Sequence, residues 1–315
     1  MLLKVHKEND KPPRSKSHLN GGLENMTITY YPELALFLQS INQSAGTFTV
    51  IFSPPNGKRK SLDIPLEPDV GHLEQLNVIL HSSPTKAFKM ESRVNAWFSE
   101  CMGYQVLLAY LGPNRRPVLG NVSPNAVQNK PPTSTSWMSS ITSSIPNVMG
   151  AKAQDEGISF ADIAAYLVVT EESLQDVSSR LQDGTKMDIT KFRPNIVLSG
   201  AKQAYEEDYW GGIIIKSSPK NTKASPPAAE IALTHNCGRC VSINIDYSTG
   251  QAATGEAGSV LKKLMKDRRV DKGNKYSPIF GRYGFLKSAE AGRIIAVGDE
   301  AQISKINEER TTFGK

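Results

Sequence analysis

The stretch from residue 121 to residue 150 limits how this chain can fold. Serine, threonine, proline and asparagine make up 18 of its 30 residues, and Lys130 carries its only charge. Such a segment buries too little apolar surface to offset the entropy lost on ordering. We therefore expect a disordered linker between two ordered blocks. The predicted division of the chain is a domain at 1–120, the linker at 121–157, a domain at 158–306 and a tail at 307–315.

Both ordered blocks have the residue pattern of β structure. Runs of β-branched and aromatic residues predict most of the elements, and few segments have helical periodicity. Strands are predicted at 26–31, 47–52, 61–66, 104–111, 166–169, 211–216, 241–246 and around Gly284 and Ala296. Helices are predicted at 92–102 before Gly103, after an N-cap at Thr170, and at 257–266. No strand–helix alternation repeats as a doubly wound sheet requires.

Composition excludes several classes of protein. The chain has 315 residues, and its three cysteines are too few for a disulfide scaffold. No apolar run reaches the roughly 18 residues of a membrane span, so we expect no transmembrane segment. Nucleotide-binding and hydrolase motifs are absent from the sequence. The net charge of +6 fits nucleic acid, an anionic cofactor or an acidic partner.

Positive charge is concentrated between residues 259 and 287. Nine Lys or Arg residues stand there against Asp267 and Asp271. The segment is either a solvated basic face or a docking site for an acidic protein or anionic group. Nucleic acid is disfavoured, because few aromatic residues are interleaved with the charges.

The sharpest local signal is Cys237-Gly238-Arg239-Cys240. A structural zinc site needs further ligands, of which only Cys101 and His235 are candidates. A thioredoxin-type pair needs a helix after the first cysteine, whereas a strand is predicted here. The pair can also supply a single reactive or metal-ligating thiolate beside Arg239, or it can be two unreactive thiols in a turn.

Two further segments carry groups that could bind a ligand. Phe192-Arg193-Pro194-Asn195 places a guanidinium and an amide around a rigid proline, which suits phosphate and a heterocycle edge. The run 205–210 is acidic and aromatic, and Asp208 is its candidate for a cofactor or basic partner. A surface arginine with a turn asparagine, and a solvated acidic loop, are the alternatives.

Taken in order, these pieces resemble the MOSC family, which is named for the C-terminus of molybdenum cofactor sulfurase. The resemblance rests on six segments between residues 158 and 303. They are Lys191–Val197, Tyr205–Trp210, Cys237–Cys240, Asp246–Gly250, Tyr276–Tyr283 and Val297–Asp299. The region up to residue 120 resembles the family's N-terminal β-barrel domain. The resemblance implies a mainly β fold with some helix (α+β) and two β-barrel-like domains.

The resemblance also implies a function. The chain is similar to the amidoxime reducers of the family and their fungal counterparts. Those proteins bind molybdenum cofactor and reduce N-hydroxylated substrates with electrons from cytochrome b5. By position, Cys240 is the expected catalytic residue and molybdenum ligand. The residues expected to bind the cofactor are Arg193, Asn195, Arg239, Asp162 and Asp208.

The resemblance leaves other roles open. Met1–Val5 resembles the interior of the first barrel, so the family's first strands, its Lys-Ser cofactor pair and any N-terminal anchor are expected to be missing. A sulfur-carrier or cofactor-handling module is the alternative to an oxidoreductase, and an inactive interaction protein is a third. Pyridoxal phosphate is linked to the family through the fused sulfurase, but no lysine motif for a Schiff base is present. The compartment stays open between cytoplasm and the outer mitochondrial membrane.

Overall fold

A computed structural model describes most of the two blocks. The described residues are 1–6, 14, 19–119, 122, 124, 157–217, 228–286 and 292–314. The predicted linker therefore lies almost entirely outside the described residues. Among the described residues, none of the helices combines the length and hydrophobicity of a membrane span.

The structure is mainly β, as predicted, with two sheets that curl into half-barrels. The strands of the first block are β1 (Leu2–Val5), β2 (Leu19–Asn20), β3 (Leu23–Asn25), β4 (Phe37–Asn42), β5 (Thr47–Phe52), β6 (Lys60–Pro65), β7 (Gln75–Leu80), β8 (Ser83–Lys89) and β9 (Val106–Tyr110). The strands of the second block are β10 (Tyr166–Thr170), β11 (Ile196–Leu198), β12 (Trp210–Lys216), β13 (Ala229–Gly238), β14 (Ile245–Asp246), β15 (Gln251–Ala252), β16 (Ile279–Leu286) and β17 (Glu300–Ile306).

The first block contains two sheets. A six-stranded sheet has the order β2-β3-β1-β9-β8-β7, and β4, β5 and β6 form a three-stranded meander. Helix α1 (Ser92–Met102) ends at Gly103, whose φ of 74° is readily adopted only without a side chain. Its Val94 and Phe98 pack into a core with residues of the meander. The helix and its stop are confirmed.

The second block is built on one six-stranded sheet. Its order is β11-β10-β16-β13-β12-β17, with one parallel pair, β10 with β11. Helix α2 (Glu171–Ser179) starts at Thr170, whose hydroxyl accepts a hydrogen bond from the Ser173 amide at 3.2 Å, as the sequence predicts. Helix α3 is Val260–Leu264, shorter than predicted. Short 3-10 helices occupy Pro32–Leu36, Ile189–Phe192, Glu206–Tyr209 and Val241–Asn244.

Three strand predictions are wrong. Residues 26–31 form a turn, because the Thr27 carbonyl accepts hydrogen bonds from the amides of Tyr30 and Tyr31. Residues 241–244 form a 3-10 helix, because the Cys240 and Ser242 carbonyls accept hydrogen bonds from the amides of Ile243 and Ile245. The last strand starts at Glu300 instead of surrounding Ala296. In the first two cases backbone carbonyls accept local hydrogen bonds in place of strand pairing.

The predicted tail packs onto the second sheet. Arg310 Nε donates to Asp208 Oδ2 at 2.8 Å, and Thr311 accepts from buried Arg282. The Phe313 amide lies 3.1 Å from Asp271 Oδ1, and its ring contacts His235 edge-on. The last described residues therefore cover buried polar groups of this sheet.

Arg116 joins the two blocks. The residue is 2% exposed, and its guanidinium donates to the Leu80 carbonyl at 3.0 Å and to the Asp162 carbonyl at 2.8 Å. Its amide and carbonyl also exchange two 2.8 Å hydrogen bonds with Ile158. One buried side chain thus satisfies carbonyls from both halves.

Replacing Arg116 by alanine should lower the free energy of unfolding by about 2–4 kcal/mol, because buried carbonyls lose their donors. Chemical denaturation would measure the change. Arg115→Ala is the matched control, since the Arg115 side chain is exposed and, among the described residues, donates only to the adjacent Asn114 carbonyl. Equal stability of the two variants would contradict this assignment.

Candidate functional site

Cys240 lies just after β13, at the N-cap of the 3-10 helix Val241–Asn244. It is exposed, and its Sγ is 3.1 Å from Ser242 Oγ. Desolvation raises the pKa of Cys240, but hydrogen bonds from Ser242 and Thr29 and the charge of Arg239 outweigh it, so the pKa lies below its ordinary value. The thiol is therefore a stronger source of thiolate than an ordinary surface cysteine.

Residues of the first block reach this thiol. Thr29 Oγ1, in the turn that replaces the predicted strand, lies 3.6 Å from Cys240 Sγ. Nearby, Gly250 has a φ of 64°, and a Cβ there would lie 2.9 Å from Leu36 Cγ. Glycine thus permits the close approach of the two blocks beside the site.

Arg239 is held firmly behind the thiol. It is 9% exposed, and its guanidinium donates to Cys237 Sγ at 2.9 Å and to the Phe192 carbonyl at 2.8 Å. Its Nε is buried and has no hydrogen-bond partner among the described residues. The structure therefore separates the two cysteines, since Cys237 belongs to the core and Cys240 to the surface.

Arg193 and Asp162 share the environment of Arg239. Arg193 is exposed and follows the 3-10 helix Ile189–Phe192 with a φ of 57°. Contact with the His81 imidazole, together with the charges of Arg193 and Arg239, holds the pKa of Asp162 below its ordinary value. Tyr247 faces the same two guanidinium groups, although its burial is the larger effect and raises its pKa. The guanidinium groups of Arg193 and Arg239 therefore lie close enough to the Asp162 carboxylate to interact with it.

Asn195 is fixed by the backbone of β10. Its amide donates to the Leu167 carbonyl at 2.9 Å, and its Oδ1 accepts from the Leu167 amide at 2.8 Å. Its Nδ2 makes no hydrogen bond within the described part of the chain. The side chain is exposed, so this donor can serve a ligand.

Asp208 is not brought to the thiol. It is fully buried, its two oxygens each lie 2.9 Å from Arg268 Nη2, and Oδ2 also accepts from Arg310. That Asp208 binds a cofactor stays a prediction; in the structure protein guanidinium groups occupy its oxygens.

The basic stretch is also smaller at the surface than its sequence suggests. Arg268 and Arg282 are buried, and Lys263 pairs with Glu256. The cations left exposed are Lys262, Lys266, Arg269, Lys272 and Lys275. Lys272 and Lys275 belong to a segment that packs beside the cysteine turn at 237–240. The contact is a hydrogen bond of 2.8 Å from the Arg239 amide to the Pro278 carbonyl.

Three site residues were missed from the sequence. Thr29 and His81 come from the first block, and only its contact with the second brings them to the site. Ser242 was within reach of sequence reasoning, since a hydroxyl two residues after a helix-capping cysteine can bond to the thiol.

The structure disfavours a zinc site and a thioredoxin-type redox pair at Cys237 and Cys240. No group of three or more His, Cys, Asp or Glu side chains within the described ranges could hold a metal ion, which leaves a zinc site without ligands there. Cys237 lies in a strand and not at a helix N-terminus, so the helix dipole of a thioredoxin-type pair is missing.

The second half of this chain is similar to known proteins. Residues 155–302 match the model of the MOSC domain. The chain is 33% identical over 143 residues to human mitochondrial amidoxime-reducing component 1, an alignment that covers 45% of this chain and 37% of the relative. A rat mitochondrial amidoxime reducing component 2 is also 33% identical, over 41% of this chain and 35% of its own length.

A longer match includes the first block. It is to the molybdenum cofactor sulfurase of Arabidopsis thaliana, 25% identical over 257 residues, which is 78% of this chain and 26% of the sulfurase. The chain thus spans little more than a third of the amidoxime-reducing relatives and about a quarter of the sulfurase. Of these relatives, the sulfurase is named for molybdenum cofactor and the two mitochondrial proteins are named for amidoxime reduction.

The residues at the site fit such a cofactor. Cys240 offers a soft, exposed sulfur with a lowered pKa, which suits molybdenum. The exposed Arg193 offers charge and hydrogen-bond donors to a phosphate, and the buried Arg239 adds positive charge. Molybdenum cofactor, when bound, would supply the redox chemistry, and the protein would supply orientation and charge.

Proposed function

We propose that this chain binds molybdenum cofactor and reduces N-hydroxylated compounds. The observation that carries the proposal is the exposed Cys240 sulfur, with its lowered pKa, beside Arg239 and at the contact between the two blocks. Cys240 is the proposed metal ligand, and Arg193, Asn195 and Arg239 are the proposed cofactor-binding residues. Asp162, which feels the charges of Arg193 and Arg239, is the remaining proposed cofactor-binding residue.

The proposed reaction breaks the N–O bond of an N-hydroxylated substrate and releases water. It consumes electrons from NADH, delivered through a cytochrome b5-type donor, and protons from solvent. The exposed cations Lys272 and Lys275 lie on the segment that packs beside the cysteine turn. They support docking of an acidic electron donor close to the thiol.

The test uses the protein purified from a host that makes molybdenum cofactor. We expect molybdenum and pterin in stoichiometric amount, and NADH-dependent conversion of benzamidoxime to benzamidine when cytochrome b5 and its reductase are present. Omission of cytochrome b5 is the control, and it should abolish turnover. Bound cofactor without b5-dependent turnover would contradict the reductase proposal.

The sulfur-carrier role is the second candidate, favoured by the long match to a molybdenum cofactor sulfurase. In that role the Cys240 thiolate, favoured by its lowered pKa, would attack the outer sulfur of a donor persulfide, take over that sulfur as its own persulfide and release the donor thiolate. Persulfide labelling at Cys240 in metal-free protein would select this role. Absence of both metal and persulfide would favour an inactive interaction protein.

A further inference from the structure

His81 occupies an unusual backbone position at the tip of the β7–β8 hairpin. It and Ser82 form the two-residue loop, with φ values of 51° and 64°. This left-handed region favours glycine and asparagine, and hairpin loops of this kind commonly use them. A histidine that persists in such a conformation points to a role for its side chain.

The surrounding structure fixes the hairpin tip. The Leu80 carbonyl, just before the loop, accepts from Arg116, and the Ser83 hydroxyl, just after it, donates to the Pro117 carbonyl at 2.6 Å. Ser83 is fully buried. The same Arg116 guanidinium also holds the Asp162 carbonyl, so the hairpin tip and Asp162 are anchored to one side chain.

The His81 side chain is directed at Asp162. Its Nε2 lies 3.6 Å from Asp162 Oδ1, and both side chains are about half exposed at 41% and 56%. Asp162 also feels the charges of Arg193 and Arg239. Without a counter-charge, this carboxylate would compete with any anion that approaches the two guanidinium groups.

We propose that His81, as the protonated imidazolium, is a positioning residue that holds the Asp162 carboxylate and offsets its charge, so that the positive charge of Arg193 and Arg239 stays available to an anionic group. The inference rests on the proposed function, in which that group is the phosphate of the cofactor. The hairpin of the first block thereby contributes to an anion site whose other residues, Asp162, Arg193 and Arg239, lie in the second block.

The test measures binding of sulfate, a phosphate-like anion of constant charge, to cofactor-free protein by calorimetry at about pH 5.5, where histidine side chains ordinarily carry a proton. We expect His81→Gly to weaken sulfate binding by about fivefold, since one nearby charge interaction is removed. Glycine suits the left-handed position, so the hairpin should keep its fold. Ser82→Gly is the matched control, because it changes the same loop at a residue that does not face Asp162, and it should bind sulfate as the wild type does.

A double-mutant cycle separates positioning from a general structural effect. In an Asp162→Asn background, the additional change His81→Gly should have no effect on sulfate affinity, since its charge partner is gone. Equal sulfate affinity of the wild type and the His81→Gly variant, or an unchanged effect in the Asp162→Asn background, would overturn the proposal. Absence of measurable sulfate binding by the wild type would overturn it as well.

Sulfate affinity and molybdenum loading together separate failure of the His81 proposal from failure of the proposed function. Sulfate affinity that ignores His81, in a protein that still loads molybdenum, would refute the inference alone. Affinity that depends on His81, in a protein that never takes up molybdenum, would refute the function alone.

Discussion

Replacing Cys240 by alanine is expected to remove molybdenum from the protein and to abolish reduction of benzamidoxime. The sulfur is the exposed soft ligand of the site, and alanine leaves no donor in its place. Metal analysis of protein from a cofactor-producing host should fall from about one molybdenum per chain to a small fraction of that. Cys240→Ser should lose nearly as much, because a hydroxyl is a harder and less acidic ligand than a thiol.

Cys101→Ala provides the matched cysteine control. Cys101 is half-buried near the end of α1, and desolvation raises its pKa. Its removal should leave molybdenum content and turnover unchanged. Retention of stoichiometric molybdenum in Cys240→Ala would refute the assignment of the ligand.

A second readout of Cys240 needs no metal. Its lowered pKa predicts that limited iodoacetamide at neutral pH alkylates Cys240 before Cys101 and the buried Cys237. Peptide mass spectrometry would give the order of modification. The preference should weaken in Ser242→Ala, since the hydroxyl 3.1 Å from the sulfur helps to lower its pKa.

Replacing Arg268 by alanine is expected to lower the free energy of unfolding by about 3–5 kcal/mol, the cost of breaking a buried ion pair from one side. Arg268 is 4% exposed and donates to both oxygens of Asp208. Its guanidinium also lies 3.6 Å from the ring centroid of Tyr205. Because native proteins are stable by only about 5–15 kcal/mol, the variant should unfold at clearly lower denaturant concentration.

The adjacent Arg269 is the matched control. It is exposed and has no ion-pair partner among the described residues, so Arg269→Ala should leave stability within about 0.5 kcal/mol of the wild type. Arg269→Glu can then test electron-donor docking without unfolding, and we expect it to raise the KM for cytochrome b5. A similar loss of stability in the Arg268 and Arg269 variants would contradict the burial pattern.

Several elements could be predicted because their signals are local. The side chain of Thr170 caps α2 within three residues, and Gly103 ends α1 where a left-handed conformation is required. The same holds for most strands, whose β-branched residues indicate pairing before any partner is known. The strand predicted at 26–31 failed, because hydrogen bonds to the Thr27 carbonyl form a turn instead.

The chain sequence by itself determined the cysteine turn, the arginine and asparagine at 193 and 195, and the mainly β architecture. Tertiary structure alone decided which of these residues meet and what else joins them. Thr29 is 211 positions from Cys240 in the chain, yet the contact between the two blocks brings it to the thiol. Likewise, neighbouring arginines at 268 and 269 look alike in sequence, and burial makes one a structural ion pair and leaves the other in solvent. The reason is physical: propensity and capping act over a few residues, whereas burial and long-range charge contacts depend on how the two sheets curl and pack together.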